Sequence, residues 1–353
     1  MPCRLAITSM SLGRGFAGHS FAHKLDMAQE YGYKGIELFY EDLSDIANLL
    51  NNKSTAENEL QAAAIIRRMC EQRGLAILCL QPFSGYEGLH DRKEHMKRLK
   101  QLKFWFQLAK ILGTDIVLIP SSFVPAPQIT EDRGLIISDL QEVADMGLQE
   151  NPPIRYVYEA LCWGTRVDHW EQSWEVVQAV DRPNFGLCLD TFNIAGRIYA
   201  DPASPTGKTA NAEQAMKESI SRLLSSVDVR KVFYVQVVDS ERLDEPLVDG
   251  HKFYNAEQPC RMSWSRNCRL FYGEDERGAY LPVKEISKAI FQGLGFEGWV
   301  SLELFNRRMS DKDEDVPREL ASRGAVSWAK LVHDMNLKVD RPQLQDMISA
   351  SPQ

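Results

Sequence analysis

The chain has 353 residues, 44% of them hydrophobic and 25% charged, and a formal net charge of −8. This is ordinary globular composition with ample length for one large core, and the acidic balance excludes a nucleic-acid footprint. No apolar run can span a bilayer and the opening MPCRLAITSMSLGRG lacks the core of a signal peptide, so a cytoplasmic protein with no membrane partner is expected.

Seven cysteines without a C-x-x-C spacing support neither a zinc ribbon nor a redox pair. The totals leave a homo-oligomer open.

In chain order, the first expected strand is Arg4–Thr8, followed by a helix from His19 to Tyr31. Strand two is Gly35–Phe39, and a helix from Ser54 to Arg73 stops at Gly74. Strand three is Leu75–Leu80, and a helix through Leu112 follows the loop QPFSGYEGLHDR. Strand four is Asp115–Ile119, with a helix over Thr130–Glu150. Strand five is Ile154–Tyr158, with a helix over Val167–Val180. Strand six is Phe185–Leu189, with a helix over Asn211–Val227, and strand seven is Val232–Val238.

An insertion, Asp239–Tyr280, is rich in charge and aromatics; loops this long are functional or disordered. A helix over Pro282–Leu294, strand eight at Gly298–Leu304 and a last helix at Val316–Met335 complete the pattern. Short, apolar, β-branched strands alternating with helices predict a single α/β domain, a (β/α)8 TIM barrel over residues 1–337 with the insertion at about 239–280. Residues 338–353 read as a polar, loosely packed tail.

Gly13-Arg14-Gly15-Phe16-Ala17-Gly18 matches G-x-G-x-x-G. Four residues separate the strand from Gly13, whereas a dinucleotide fingerprint needs glycine at the strand tip. A flexible loop at the barrel mouth is the preferred reading.

Glu159, Asp190, Gln236 and Glu303 lie at or near the ends of four apolar strands. A lone acid there often caps the next helix. Three carboxylates on one rim repel one another unless a cation offsets them. With the Gln236 amide they form an all-oxygen set suited to Mg2+, Mn2+ or Co2+. In the insertion, Arg261-Met262-Ser263-Trp264-Ser265-Arg266-Asn267-Cys268-Arg269 carries three arginines beside two serines, a pattern suited to clamping an anion.

LAITSMSLGR with AGHSF, YGYKGIELFYEDL, the QPF…YEGL loop, DTFNIAGR, MSWSRNCRLF and GWVSLELFNRRM together resemble the fungal-type 3-dehydroshikimate dehydratases of quinate catabolism, within the xylose-isomerase-like barrels. The likeness covers nearly the whole chain. It implies a small-molecule substrate, 3-dehydroshikimate, dehydrated to protocatechuate with a divalent metal. It carries the metal ligands onto Glu159, Asp190, Gln236 and Glu303, and contacts to the substrate carboxylate onto Ser265 and Arg269.

Relatives have Asp-x-x-His where this chain has Asp190-Thr191-Phe192-Asn193, and some carry a histidine where Leu161 stands. Asn193 can hydrogen-bond a substrate but is no base. Glu37 and Tyr86 are expected beside the substrate, and together with His251 and Glu159 they are the candidates for the base. A sugar isomerase or ketose epimerase, a non-catalytic barrel that binds a small acid, and a metal-dependent nuclease are the alternatives. Gln236, the missing Asp-x-x-His and the arginine-rich loop weigh against the epimerase.

Overall fold

The structure, a computed structural model, describes residues 2–51 and 55–339. Its backbone falls into two contact units, one from the N-terminus to Lys34 and again from Leu189 onward, the other Gly35–Cys188.

The first unit opens with β1 (Arg4–Thr8) and α1 (Phe21–Glu30). Two short 3-10 turns join them, Ser9–Leu12 and Gly15–Ala17. The Lys24 ammonium donates to the Gly13 carbonyl at 3.0 Å, and the Arg14 amide donates to the Met309 carbonyl at 2.9 Å. The glycine-rich segment is therefore pinned, not the flexible loop expected.

The second unit holds β2 (Gly35–Phe39), α2 (Tyr40–Asn51), α3 (Ala56–Glu71) and β3 (Ala76–Gln81). It continues with α4 (Arg92–Leu112), β4 (Ile116–Pro120), α5 (Arg133–Leu148), β5 (Arg155–Glu159) and α6 (Trp170–Val180). Helix α2 was not expected. Its inner face is Leu43 and Ala47, both fully buried, and the Tyr40 ring stacks on Trp105 at 5.0 Å. Helix α4 shows ordinary terminal chemistry: the Asp91 carboxylate accepts the Lys93 and Glu94 amides, and Gly113 at φ +77° ends the helix in the left-handed region.

Strand β6 (Phe185–Asp190) carries the chain back into the first unit. There follow α7 (Thr191–Ile198), also unexpected, α8 (Ala212–Ser226) and β7 (Val232–Gln236). The insertion is ordered. It contains β8 (Asp239–Ser240), α9 (Cys260–Cys268) and β9 (Arg269–Leu270), with β8 and β9 paired antiparallel. The Ser240 hydroxyl donates to the Cys268 carbonyl at 2.9 Å, and the Trp264 indole donates to the Glu241 carbonyl at 3.0 Å. Helix α10 (Val283–Lys288) runs into a π turn, Ala289–Gly293. Strand β10 (Trp299–Leu302) and α11 (Val316–Met335) complete the unit.

Of the expected tail, Lys338 is tied down: its carbonyl accepts the Cys3 amide at 2.7 Å. Residues 340–353 of that tail lie outside the described residues.

Among the described residues the eight parallel strands close into a barrel in the order β1-β10-β7-β6-β5-β4-β3-β2. The register runs from Arg4↔Trp299 to Ile7↔Leu302 between β1 and β10, and from Ile116↔Arg155 to Pro120↔Glu159 between β4 and β5. The (β/α)8 expectation holds. In such a barrel the C-terminal strand ends carry the chemistry.

Candidate functional site

Asp190 is the last residue of β6 and Gln236 the last of β7; Glu303 follows β10 directly. All three side chains are buried. A strand ends where its side chains alternate onto the rim, so a polar residue at the tip can face a pocket while the preceding apolar residues fill the core.

Asp190 does cap the next helix: its Oδ1 accepts the Phe192 amide of α7 at 2.8 Å. It also does more. Its Oδ2 accepts the Asn193 amide nitrogen at 2.7 Å and Arg269 Nη1 at 3.1 Å. Arg269 Nη1 reaches Glu303 Oε2 at 3.0 Å and the Glu303 carbonyl at 3.1 Å. The Asp190 and Glu303 carboxylates come within 4.8 Å of each other. One buried guanidinium thus bridges two buried carboxylates.

Arg269 is held on every side. Ser265 Oγ, one turn back in α9, accepts from its Nε at 3.0 Å. The guanidinium carbon stands 4.2 Å from the Phe192 ring centroid and 5.0 Å from that of Phe305. Its backbone is fixed by the β8–β9 ribbon, by its own amide donating to the Phe305 carbonyl, and by Asn306 donating to its carbonyl. Phe192 and Phe305 were not singled out from sequence. The signal was their place, two residues after Asp190 and Glu303 respectively.

In the other unit, Glu159 is the buried last residue of β5. Strands β5 and β6 pair from Tyr156↔Phe185 to Tyr158↔Leu187. Glu37, within β2, accepts from Gln81 Nε2 at 2.9 Å and from the Cys79 thiol at 3.6 Å.

Two expected residues are engaged elsewhere. The buried Tyr86 hydroxyl donates to the Asp139 carbonyl of α5 at 2.8 Å, and burial pushes its phenol far above the usual range. It belongs to a second polar group, His95, Asp139 and Glu142. There Arg92 grips Asp139 with both terminal nitrogens, at 2.6 and 3.0 Å, and the Gly88 amide adds a third bond at 2.8 Å. That group carries its own counter-cation, and Tyr86 is tied to it and to α5. His251 lies in a turn of the insertion, where its Nδ1 accepts the Phe253 amide at 3.1 Å. The lone pair that a base would use is taken by that bond.

Sequence reasoning also passed over Glu87, beside Tyr86. Its Oε1 accepts the Ser122 amide at 2.7 Å and the Tyr158 hydroxyl at 3.0 Å. Its Oε2 is buried with no hydrogen-bond partner among the described residues. Burial pushes this carboxyl up to about 7, against the lowering effect of its two donors.

A family profile described as a xylose isomerase-like TIM barrel matches residues 25–331. A curated protein of Neurospora crassa named 3-dehydroshikimate dehydratase is 62% identical over 348 residues, spanning 97% of each chain. The chain belongs to the 3-dehydroshikimate dehydratases of the xylose isomerase-like TIM barrel family.

Among solved structures, a xylose isomerase-like TIM barrel/4-hydroxyphenylpyruvate dioxygenase fusion protein matches with a TM-score of 0.71 at 25% identity. The match covers 100% of this chain and 45% of that one, so the chain spans less than half of the fusion protein. The IOLI protein, whose crystal structure holds a zinc atom, shares the fold at a TM-score of 0.67 and 18% identity, over 94% of this chain and 99% of that one. No helix among the described residues is long and apolar enough to cross a membrane.

Proposed function

We propose that the chain removes water from 3-dehydroshikimate to give protocatechuate, a cytoplasmic step of quinate catabolism, with a divalent ion bound by Glu159, Asp190, Gln236 and Glu303. The observation that carries this reading is the buried Asp190–Arg269–Glu303 group on strand ends of a chain 62% identical, nearly end to end, to a curated dehydratase.

The donor set fits such an ion. Three carboxylates and an amide offer only oxygen, which suits Mg2+, Mn2+ or Co2+. The Asp190 and Glu303 carboxylates are buried within 4.8 Å of each other, and the single guanidinium of Arg269 between them offsets only one of their two charges. When bound, the ion polarises the ring ketone and offsets the charge that develops on its oxygen.

The chain's own residues do the rest. Ser265 and Arg269 hold the substrate carboxylate, which orients the ring and is positioning, not bond-making. Phe192 and Phe305 keep the Arg269 plane from tilting. A base removes a proton from the carbon beside the ketone. The hydroxyl one carbon further out leaves as water with the proton that the base returns to it, and transfer of a remaining ring CH2 proton to the ketone oxygen completes the aromatic product. We assign the base to Glu159, because His251 spends its Nδ1 lone pair on the Phe253 amide. Asn193 keeps Asp190 in place through its 2.7 Å bond.

The test is ultraviolet absorbance of 3-dehydroshikimate incubated with the purified protein. A catechol-type band that a chelator abolishes and Mg2+ or Mn2+ restores is expected. Glu303→Ala should lose both bound metal and activity. No band under any of the three metals would discard the dehydratase reading, and activity that survives chelation would discard the metal.

A further inference from the structure

The insertion that carries Ser265 and Arg269 begins at Asp239, which is 6% exposed. Its Oδ1 gathers three backbone amides. One belongs to its neighbour Ser240, at 2.7 Å. The other two, Tyr280 at 3.2 Å and Leu281 at 2.9 Å, lie 41 and 42 residues further along the chain. A single carboxyl oxygen thus ties the start of the insertion to its end.

The stretch that follows Asp239 runs between two other segments. On one side Asp239 and Ser240 pair with Leu270 and Arg269, and the Glu241 amide donates to the Cys268 carbonyl at 2.8 Å. On the other side Glu241 bridges Ala279, and the Arg242 amide donates to the Gly278 carbonyl at 2.9 Å. Arg269 takes its backbone position from this ribbon, and Asp239 joins the ribbon to the returning chain.

We propose that Asp239 is a positioning residue for the substrate: by joining the two ends of the insertion, it fixes where Ser265 and Arg269 meet the substrate carboxylate. The inference rests on the assignment of that carboxylate to Ser265 and Arg269. Binding groups work within ~0.5 Å of their productive geometry, and they hold it only when the surrounding shell does. Arg269 depends on Asp190 at 3.1 Å and on Glu303 and Ser265 at 3.0 Å, so a shifted ribbon breaks all three bonds.

Burial pushes the Asp239 carboxyl up to about 7 against the lowering effect of its three amides, and Asp275 raises it further. Protonated or not, the group keeps an oxygen that accepts. Asparagine keeps one too, and alanine does not. A carboxylate contact remote from the reacting carbon is made alike in bound substrate and transition state, so its loss appears in KM.

Steady-state kinetics with 3-dehydroshikimate and Mg2+ test this in Asp239→Ala, Asp239→Asn, Arg269→Ala and the double variant Asp239→Ala/Arg269→Ala. Asp239→Ala should raise KM at least ~10-fold and lower kcat less than ~3-fold, and Asp239→Asn should stay within ~3-fold of wild type in both. With Arg269 already removed, Asp239→Ala should change KM less than ~2-fold, because it acts through that side chain. KM does not depend on how much of the enzyme is folded. A lowered urea midpoint with wild-type KM in Asp239→Ala would therefore overturn the proposal. A KM in Asp239→Asn as high as in the alanine variant, or an undiminished rise on the Arg269→Ala background, would overturn it too. A wild-type KM in Arg269→Ala would instead overturn the carboxylate assignment, and this inference with it.

If circular dichroism shows Asp239→Ala unfolded, hydrogen exchange on the wild type decides. Coupling between the ends of the insertion and the carboxylate contact is reciprocal. Protocatechuate, which carries the carboxylate, should slow amide exchange across Ser265–Leu270 and Gly278–Leu281 together. Slowing of the first segment alone would overturn the proposal, and slowing of neither would overturn the carboxylate assignment.

Discussion

Glu87→Gln should change how stability depends on pH. The Glu87 carboxyl is buried, with Oε1 satisfied by Ser122 and Tyr158 and Oε2 unsatisfied. Burial moves it from an ordinary 4.5 up to about 7 in the folded protein. Between these values the unfolded chain has lost its proton and the native protein keeps it. The native state then binds more protons, so stability falls as pH rises. The contribution is fully present below pH 4.5 and is lost as pH climbs through about 7. At ~1.4 kcal/mol per pH unit, the gap amounts to ~3 kcal/mol for this one group.

Glutamine keeps the Oε1 acceptor and cannot ionise. Its amide nitrogen would be buried without an acceptor, a constant cost of ~1–3 kcal/mol at every pH. Urea unfolding of wild type and variant from pH 4.5 to 8.5 separates the two effects. The wild type should be the more stable at the acid end, and its advantage should shrink by ~3 kcal/mol toward the alkaline end. A difference that stays constant across that range would refute the assignment of a buried, protonated Glu87.

Two further substitutions probe the frame of the Arg269 segment. Arg323 pairs with Glu274 through two bonds of 2.7 and 2.9 Å and with Glu319 at 3.0 Å, and Glu274 in turn accepts the Phe271 amide beside β9. Arg323→Ala removes two bonds from buried Glu274, leaving it the Phe271 amide and Arg277 at 3.5 Å, and should cost ~1–3 kcal/mol in urea unfolding, with partial recovery in the double variant with Glu274→Gln. No loss in the single variant would mean the network is not holding the segment. Gly324 on α11 lies where an added Cβ would overlap the Tyr33 hydroxyl and come within 3.1 Å of Leu302. Gly324→Ala should lower stability by ~1–3 kcal/mol, and Tyr33→Phe in the same chain should restore part of it by making room. An unchanged thermal midpoint for Gly324→Ala would show that the contact yields freely.

The barrel was legible because its signals are local. β1, β2 and α11 fall where expected, at Arg4–Thr8, Gly35–Phe39 and Val316–Met335. Strand β7 is two residues shorter than expected, which makes Gln236 its last residue. The misses have physical reasons. Helix α2 begins YEDLSD, a polar start that reads as loop until Leu43 and Ala47 find a core to bury against. Helix α7 follows β6 without a connecting residue, and its cap is Asp190, already read as a ligand. The insertion looked like a loop because β8 and β9, two residues each, are too short to show a period.

By itself, the sequence determined the alternation of strands and helices, the polar residues at the strand ends and the arginine-rich segment, because each depends on neighbours along the chain. Only the tertiary structure decided which of the three segment arginines meets Asp190 and Glu303. Arg269 does, while Arg261 donates to the Gly196 and Ala200 carbonyls and Arg266 to Gln258. It likewise turned Tyr86 toward Asp139 and closed the His251 Nδ1 with a backbone amide. A side chain's partner depends on where distant segments bring their backbone, and Arg269 reaches Asp190 across 79 residues of chain.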